Sequence, residues 1–207
     1  MAPSLSAGSA FCAKAYEILS NIDHPYSRLL VDTVQSQMWI ENDELDRAER
    51  MMRMDLQQCL THNVPTMLSV CMGVLGSALA RNGKAAEAVP MLERGFADRI
   101  YEAAGPYGRT FMRVSLGVAY RKLRRLDDAI AVGRKAVEQA AEEYGHQTEA
   151  LYELAETLRH AGDQAGAEAH FKRVALAAER LGMPHYQRQV AAALADRPRA
   201  RAGGGRQ

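Results

Sequence analysis

Apolar residues recur at helical spacing along almost the whole chain, and one arrangement of them returns four times. Between Thr110 and Ala141, Leu116, Gly117 and Tyr120 are followed by Ala129 and Ala136, large and small residues on the facing sides of two consecutive helices. Small side chains let antiparallel helices approach closely, and large ones fill the groove between them. From Thr148 the order returns as Leu151, Leu154, Ala155, Leu158, Gly162, Ala167 and Phe171; from Ser69 it runs Leu75, Gly76, Leu79, Gly83, Ala88 and Leu92. A weaker copy from Leu29 keeps Ser36, Trp39, Ala48 and Met52, with Asp55 where a small residue is usual. The copies start at residues 29, 69, 110 and 148, intervals of 40, 41 and 38 residues. One hairpin cannot bury its own apolar face, so the pattern predicts a stack of them.

Turn residues punctuate the pattern at matching places. Phe11, Ala15, Ile18 and Leu19 predict a helix from Ser9 to Ile22, the second half of an incomplete repeat. His24-Pro25-Tyr26, Asn63-Val64-Pro65 and Gly105-Pro106-Tyr107 share one phase. Because proline disfavours helix in its predecessor, each marks a crossing between hairpins. Asn82-Gly83 and Ala161-Gly162 end first helices, where glycine accepts a left-handed conformation. Asp127 is placed to cap the helix beginning beside it, and Pro90 to bend the first turns of its helix without breaking it. The resulting organisation is a loose leader over 1–8, a single domain over 9–195 and a disordered basic tail over 196–207. Within the domain lie a half repeat (9–28), repeats from 29, 69, 110 and 148, and a capping helix over 187–194.

These residues resemble the tetratricopeptide repeat (TPR) family, in a subgroup whose period is nearer 40 residues than the common one of about 34. Asp23-His24-Pro25-Tyr26-Ser27, the run from Ala86 to Glu93, and the run from Ala167 to Ala177 with Leu181-Gly182-Met183 carry a closer likeness. They are similar to the repeats at the C-terminal end of large bacterial signalling regulators, in which a cyclase or DNA-binding domain and an ATPase module come first; neither is found in this sequence. The resemblance implies an all-α protein, a right-handed α-α superhelix of TPR-like helical hairpins. It also implies that first helices line a concave groove in which the family holds peptides or partner helices.

Composition narrows the functional classes. The 207 residues carry 26 Lys plus Arg against 25 Asp plus Glu, a net charge of +1 that points to neither nucleic acid nor a membrane surface as partner. No apolar run reaches the roughly 18 residues of a membrane span, and the N-terminal residues lack the pattern of a secretory signal. Cys12, Cys59 and Cys71 form no CxxC pair, which fits a reduced, cytoplasmic location. HExxH, GxxxxGK[ST], GxSxG and GxGxxG motifs are all missing. His24, His62, His146, His160, His170 and His185 are scattered, with no pair four apart on one helix face. Glu142 and Glu143 read as a solvated face. The expectation is therefore no catalytic residue, no metal, no cofactor and no enzyme activity.

What remains is surface. By phase, the groove is expected to be lined by Leu30, Thr33, Gln37 and Glu41, by Val70, Gly73, Ser77 and Arg81, by Phe111, Val114, Val118, Arg121 and Lys122, and by Glu149, Tyr152, Glu156, Arg159 and His160. Partner binding is expected of Gln37, Glu41, Ser77, Arg81, Val118, Arg121, Lys122, Tyr152, Glu156, Arg159 and His160. Arg81, Arg121, Lys122, Arg159 and His160 recur at one phase, as a basic ladder that suits an acidic peptide. The competing reading is that cations at helix C-termini only offset the helix dipole. Met38, Met51, Met52, Met54, Met67 and Met72 crowd the first two repeats, either as core filling or as an adaptable docking face, self-association included. The leading functional expectation is a non-catalytic adaptor or scaffold for a protein or peptide partner. The alternative is a ligand- or peptide-sensing module that controls a separate signalling or transcription effector.

Overall fold

The structure, a computed structural model, describes residues 5–98, 100–103, 105–140 and 146–195. The stretch read as a basic tail, together with Glu142 and Glu143, lies outside them. Eleven helices are present among the described residues: α1 (Leu5–Leu19), α2 (Pro25–Glu41), α3 (Leu45–Thr61), α4 (Pro65–Arg81), α5 (Ala85–Ala97), α6 (Ile100–Ala103), α7 (Pro106–Lys122), α8 (Leu126–Ala140), α9 (His146–His160), α10 (Gln164–Leu181) and α11 (Pro184–Ala195). The fold is all-α and TPR-like. Four hairpins, α2–α3, α4–α5, α7–α8 and α9–α10, are stacked in order, with α1 packed on α2 and α11 on α10.

Each hairpin turns in the same way. Asp43, Gly83, Arg124 and Gly162 have φ of 63°, 77°, 62° and 88°. The next residues, Glu44, Lys84, Arg125 and Asp163, donate their backbone N–H to the carbonyls of Trp39, Leu79, Tyr120 and Leu158 at 2.8, 2.8, 2.9 and 3.0 Å. This bond satisfies a carbonyl that the ending helix leaves orphaned. Only two of the four positions hold glycine, so the turn repeats in the backbone more faithfully than in the sequence. Pro25, Pro65, Pro106 and Pro184 each open a helix, the position at which a missing N–H costs nothing and a fixed φ helps.

Some local expectations shift. Helix α1 begins at Leu5, within the stretch read as a leader, and the short α6 was not anticipated. Asp127 lies inside the first turn of α8 and does not cap it; its charge there, with that of Asp128, favours the positive end of the helix dipole. Helix α5 runs through Pro90 unbroken.

Helix α4 is the centre of the core, buried at every residue from Ser69 to Ala80. Its small residues make that possible: a Cβ on Gly73 would lie 2.7 Å from Phe111 Cδ1 and 3.3 Å from the Met112 backbone N, so α4 and α7 approach closely there. Met38, Met52, Met67 and Met72 are buried and Met54 is exposed. The methionine cluster is thus chiefly core, where flexible thioethers fill irregular space.

Candidate ligand groove

Consecutive first helices touch one another, α2 with α4, α4 with α7 and α7 with α9. Their shared face bounds a cavity of about 380 Å³. Helix α2 contributes Gln37, Ile40 and Glu41, α4 contributes Ser77 and Arg81, α7 contributes Tyr107 and Phe111, and α9 contributes Glu149, Tyr152 and Glu153. The remaining wall comes from Met183 and from His185, Tyr186 and Gln189 of α11. A volume of this order lies in the range of small-molecule and peptide side-chain pockets.

The wall is held by bonds between first helices, two of which skip a hairpin. The Gln37 amide donates to the Tyr107 hydroxyl, 70 positions away. Arg81 Nη2 reaches Glu153 Oε1 at 2.8 Å. Arg121 Nη2 meets Glu153 Oε2 at 2.6 Å, while its Nη1 donates to the Glu153 carbonyl and to Thr157 Oγ1 at 2.9 and 3.0 Å. Glu153 and Arg121 are largely buried, with side-chain exposures of 8% and 11%. Burial alone would raise the Glu153 pKa, but the Arg121 and Arg81 guanidiniums outweigh it and hold the carboxyl below the usual range.

Glu149, one turn earlier on α9, has the opposite environment. It has no hydrogen bond or ion pair among the described residues. Burial, followed by the negative charge of Glu153, pushes its pKa up to about 7, against a counteracting pull from Arg81 and with a further push from Glu41. Tyr152 and Tyr186 stand beside it, ring centroids 5.5 Å apart and tilted by 56°. The Tyr186 hydroxyl is raised well above its ordinary pKa by burial first, then by the charges of Glu149, Glu153 and Glu41. The His185 ring lies against Tyr186 with centroids 4.2 Å apart and a tilt of 43°.

Of the residues expected in the groove, Gln37, Glu41, Ser77, Arg81, Phe111, Glu149 and Tyr152 line this cavity, whereas Thr33, Val70, Gly73 and Val114 are buried away from it and Leu30 is exposed elsewhere. Val118 is buried in the core, and Arg121 sits behind the wall on Glu153. Glu156, also buried, pairs with Arg159 at 2.8 Å, and its backbone carbonyl lies 2.8 Å from His160 Nδ1. Lys122 is exposed at the end of α7. Within the basic ladder, Arg81 and Arg121 are committed to Glu153 and Arg159 to Glu156, because carboxylates on α9 lie within reach of each. The wall residues not among those expected by phase include Tyr186 and His185, whose helix α11 reads in the sequence as an end cap.

Among the described residues no group of three or more His, Cys, Asp or Glu side chains is arranged to hold a metal, and no helix is long and apolar enough to cross a membrane. No family model matches this chain, and no curated protein sequence does. Solved structures do match. PlcR of Bacillus thuringiensis, solved in complex with the peptide PapR7 and DNA, is similar over 90% of this chain and 69% of its own, with a TM-score of 0.71 and 15% identity. A putative kinesin light chain of Podosopora anserina with nearly identical TPR-like repeats is similar over 86% of this chain and all of its own, with a TM-score of 0.56 and 18% identity. At such identities the likeness is one of fold alone, a TPR-like stack of helical hairpins.

Proposed function

We propose that this chain is a non-catalytic peptide-binding module that senses its ligand through the groove cavity. The observation that carries this reading is the cavity's construction. Four successive first helices and α11 all contribute to one wall, so an occupant touches both ends of the stack at once. A ligand that binds one curvature better than another shifts the population toward it, which is what a sensor needs and a flat adaptor surface does not. PlcR, similar in fold to this chain and solved in complex with a peptide, supports a peptide as ligand. The partner so regulated would be a separate signalling or transcription effector.

The test is selection from a random library of linear octapeptides on the full chain, followed by hydrogen exchange of the selected complexes. Binding should protect amides of α4, α7, α9 and the first turns of α11. Gln189→Trp, which places a bulky ring at the cavity from an exposed position, should abolish binding and leave the helical melt unchanged. Selected peptides that protect only other faces, or that bind the Trp variant with parental affinity, overturn the proposal.

A further inference from the structure

We infer that the cavity selects peptides carrying a lysine or arginine side chain, and that Glu149, backed by Glu41 and walled by Tyr152 and Tyr186, receives the cation. The inference rests on the groove reading above and adds the chemical class of the ligand.

Charge around the cavity decides it. Two guanidiniums, Arg81 and Arg121, are both engaged by the one carboxylate of Glu153. Glu149 and Glu41 also line the cavity, and neither carboxylate has an ion pair or accepts a hydrogen bond among the described residues. Counting these five groups, three carboxylates face two cations. The surplus is negative, and it falls on the side where Glu149 lies. An acidic ligand would meet Glu149 and Glu41 before it met a free cation, whereas a basic one would supply the counter-ion that Glu149 lacks.

The surroundings favour the same chemistry. Glu149 is half-buried; a carboxylate partly withdrawn from water without a partner is costly, and a charge-assisted hydrogen bond from an ammonium or guanidinium relieves that cost in a way a neutral donor cannot. The elevated Glu149 pKa, caused first by burial, marks the same lack of a partner. The tilted Tyr152 and Tyr186 rings add π faces, which attract a cation and also pack against the methylene stem of Lys or Arg. A long aliphatic stem with a charged tip therefore matches the cavity in shape and in charge.

The experiment runs the octapeptide selection in parallel on the parent chain and on Glu149→Gln. Parent-selected groove binders should be enriched in Lys or Arg at one position, and the enrichment should vanish with Glu149→Gln. For one selected peptide, replacing that Lys or Arg by norleucine should weaken binding to the parent roughly tenfold or more, and to Glu149→Gln less than about twofold. Glu149→Asp, which keeps the charge, should retain the preference and covers the case in which Gln perturbs the helix. Groove binders without a cationic preference, or with an acidic one, overturn this inference and leave the peptide-binding proposal standing. A selection that returns no groove binder overturns both.

Discussion

Arg81 and Glu153 are 72 positions apart, on helices α4 and α9 separated by the whole α7–α8 hairpin, and their side chains meet at 2.8 Å. The pairing measures how tightly the stack curves on its concave side. It also makes Glu153 the shared anchor of two cations, one of them almost buried.

That arrangement predicts an unequal response to mutation. Glu153→Gln leaves Arg121 buried without its charge partner, and breaking a buried pair from one side costs about 3–5 kcal/mol. Arg81→Met should cost only about 1 kcal/mol, because Arg81 is 39% exposed and Glu153 keeps Arg121. Urea unfolding of the two variants checks the order. Equal losses would show that Arg121 is not the dependent partner.

Most of the fold was legible in the sequence, because stacking depends on residues that recur at a fixed phase. Leu75, Gly76 and Ala88, and Leu154, Ala155 and Ala167, each solve the same local problem of two helices in contact. The site was only partly legible, for a physical reason. Phase places Arg81, Arg121 and Arg159 on one edge of successive helices, but it says nothing of the curvature that brings Glu153 to Arg81 across a hairpin. Nor does it show that α11, which the pattern reads as an end cap, returns Tyr186 to the groove. Asp55 was visible as a departure from the repeat, and its surroundings give that departure a measurable consequence.

Asp55 is buried, and one of its oxygens, Oδ2, has no hydrogen-bond partner. Its neighbour Asp32 is engaged by the Tyr16 hydroxyl and by Arg28. Burial, then the Asp32 charge, pushes the Asp55 pKa up to about 7, against a smaller opposing pull from Arg28. The unfolded value is near 3.9. With the folded pKa above the unfolded one, the folded state holds its proton longer, so stability falls as pH rises from about 4 to about 7 and is flat outside that window. Asp55→Asn should remove part of this fall and leave the chain more stable than the parent at pH 8. Unfolding free energies at pH 5 and pH 8 test this, and Glu149, raised for the same reason, accounts for a further part of the slope.

At Gly73 the prediction concerns packing. A Cβ there meets the Phe111 ring at 2.7 Å and the Met112 backbone at 3.3 Å. Gly73→Leu must move α7 away from α4, and overpacking of this kind costs about 1–3 kcal/mol. Because Phe111 lines the cavity, the same variant should also weaken selected groove peptides. Thermal melts and peptide titrations read the two effects separately, and a melt equal to the parent's would contradict the close approach of these helices.

The four hairpin turns offer a test in which packing plays no part. Nothing lies within 4 Å of a Cβ built on Gly83 or Gly162, whose φ are 77° and 88°, so Gly→Ala at either place should cost about 1 kcal/mol from backbone strain alone. Arg124 already bears that strain at φ 62°, with its side chain exposed. Arg124→Gly should therefore stabilise the chain by up to about 1 kcal/mol, the strain relieved less the entropy that glycine adds to the unfolded chain. Asp43, at φ 63°, should gain less on the same change, since aspartate enters the left-handed region more readily than arginine. The measurement is the midpoint of urea unfolding for the four single variants. If Arg124→Gly lowers it, the turns are not equivalent in energy, and the shared hydrogen bond from Arg125 to the Tyr120 carbonyl repeats a geometry without repeating its cost.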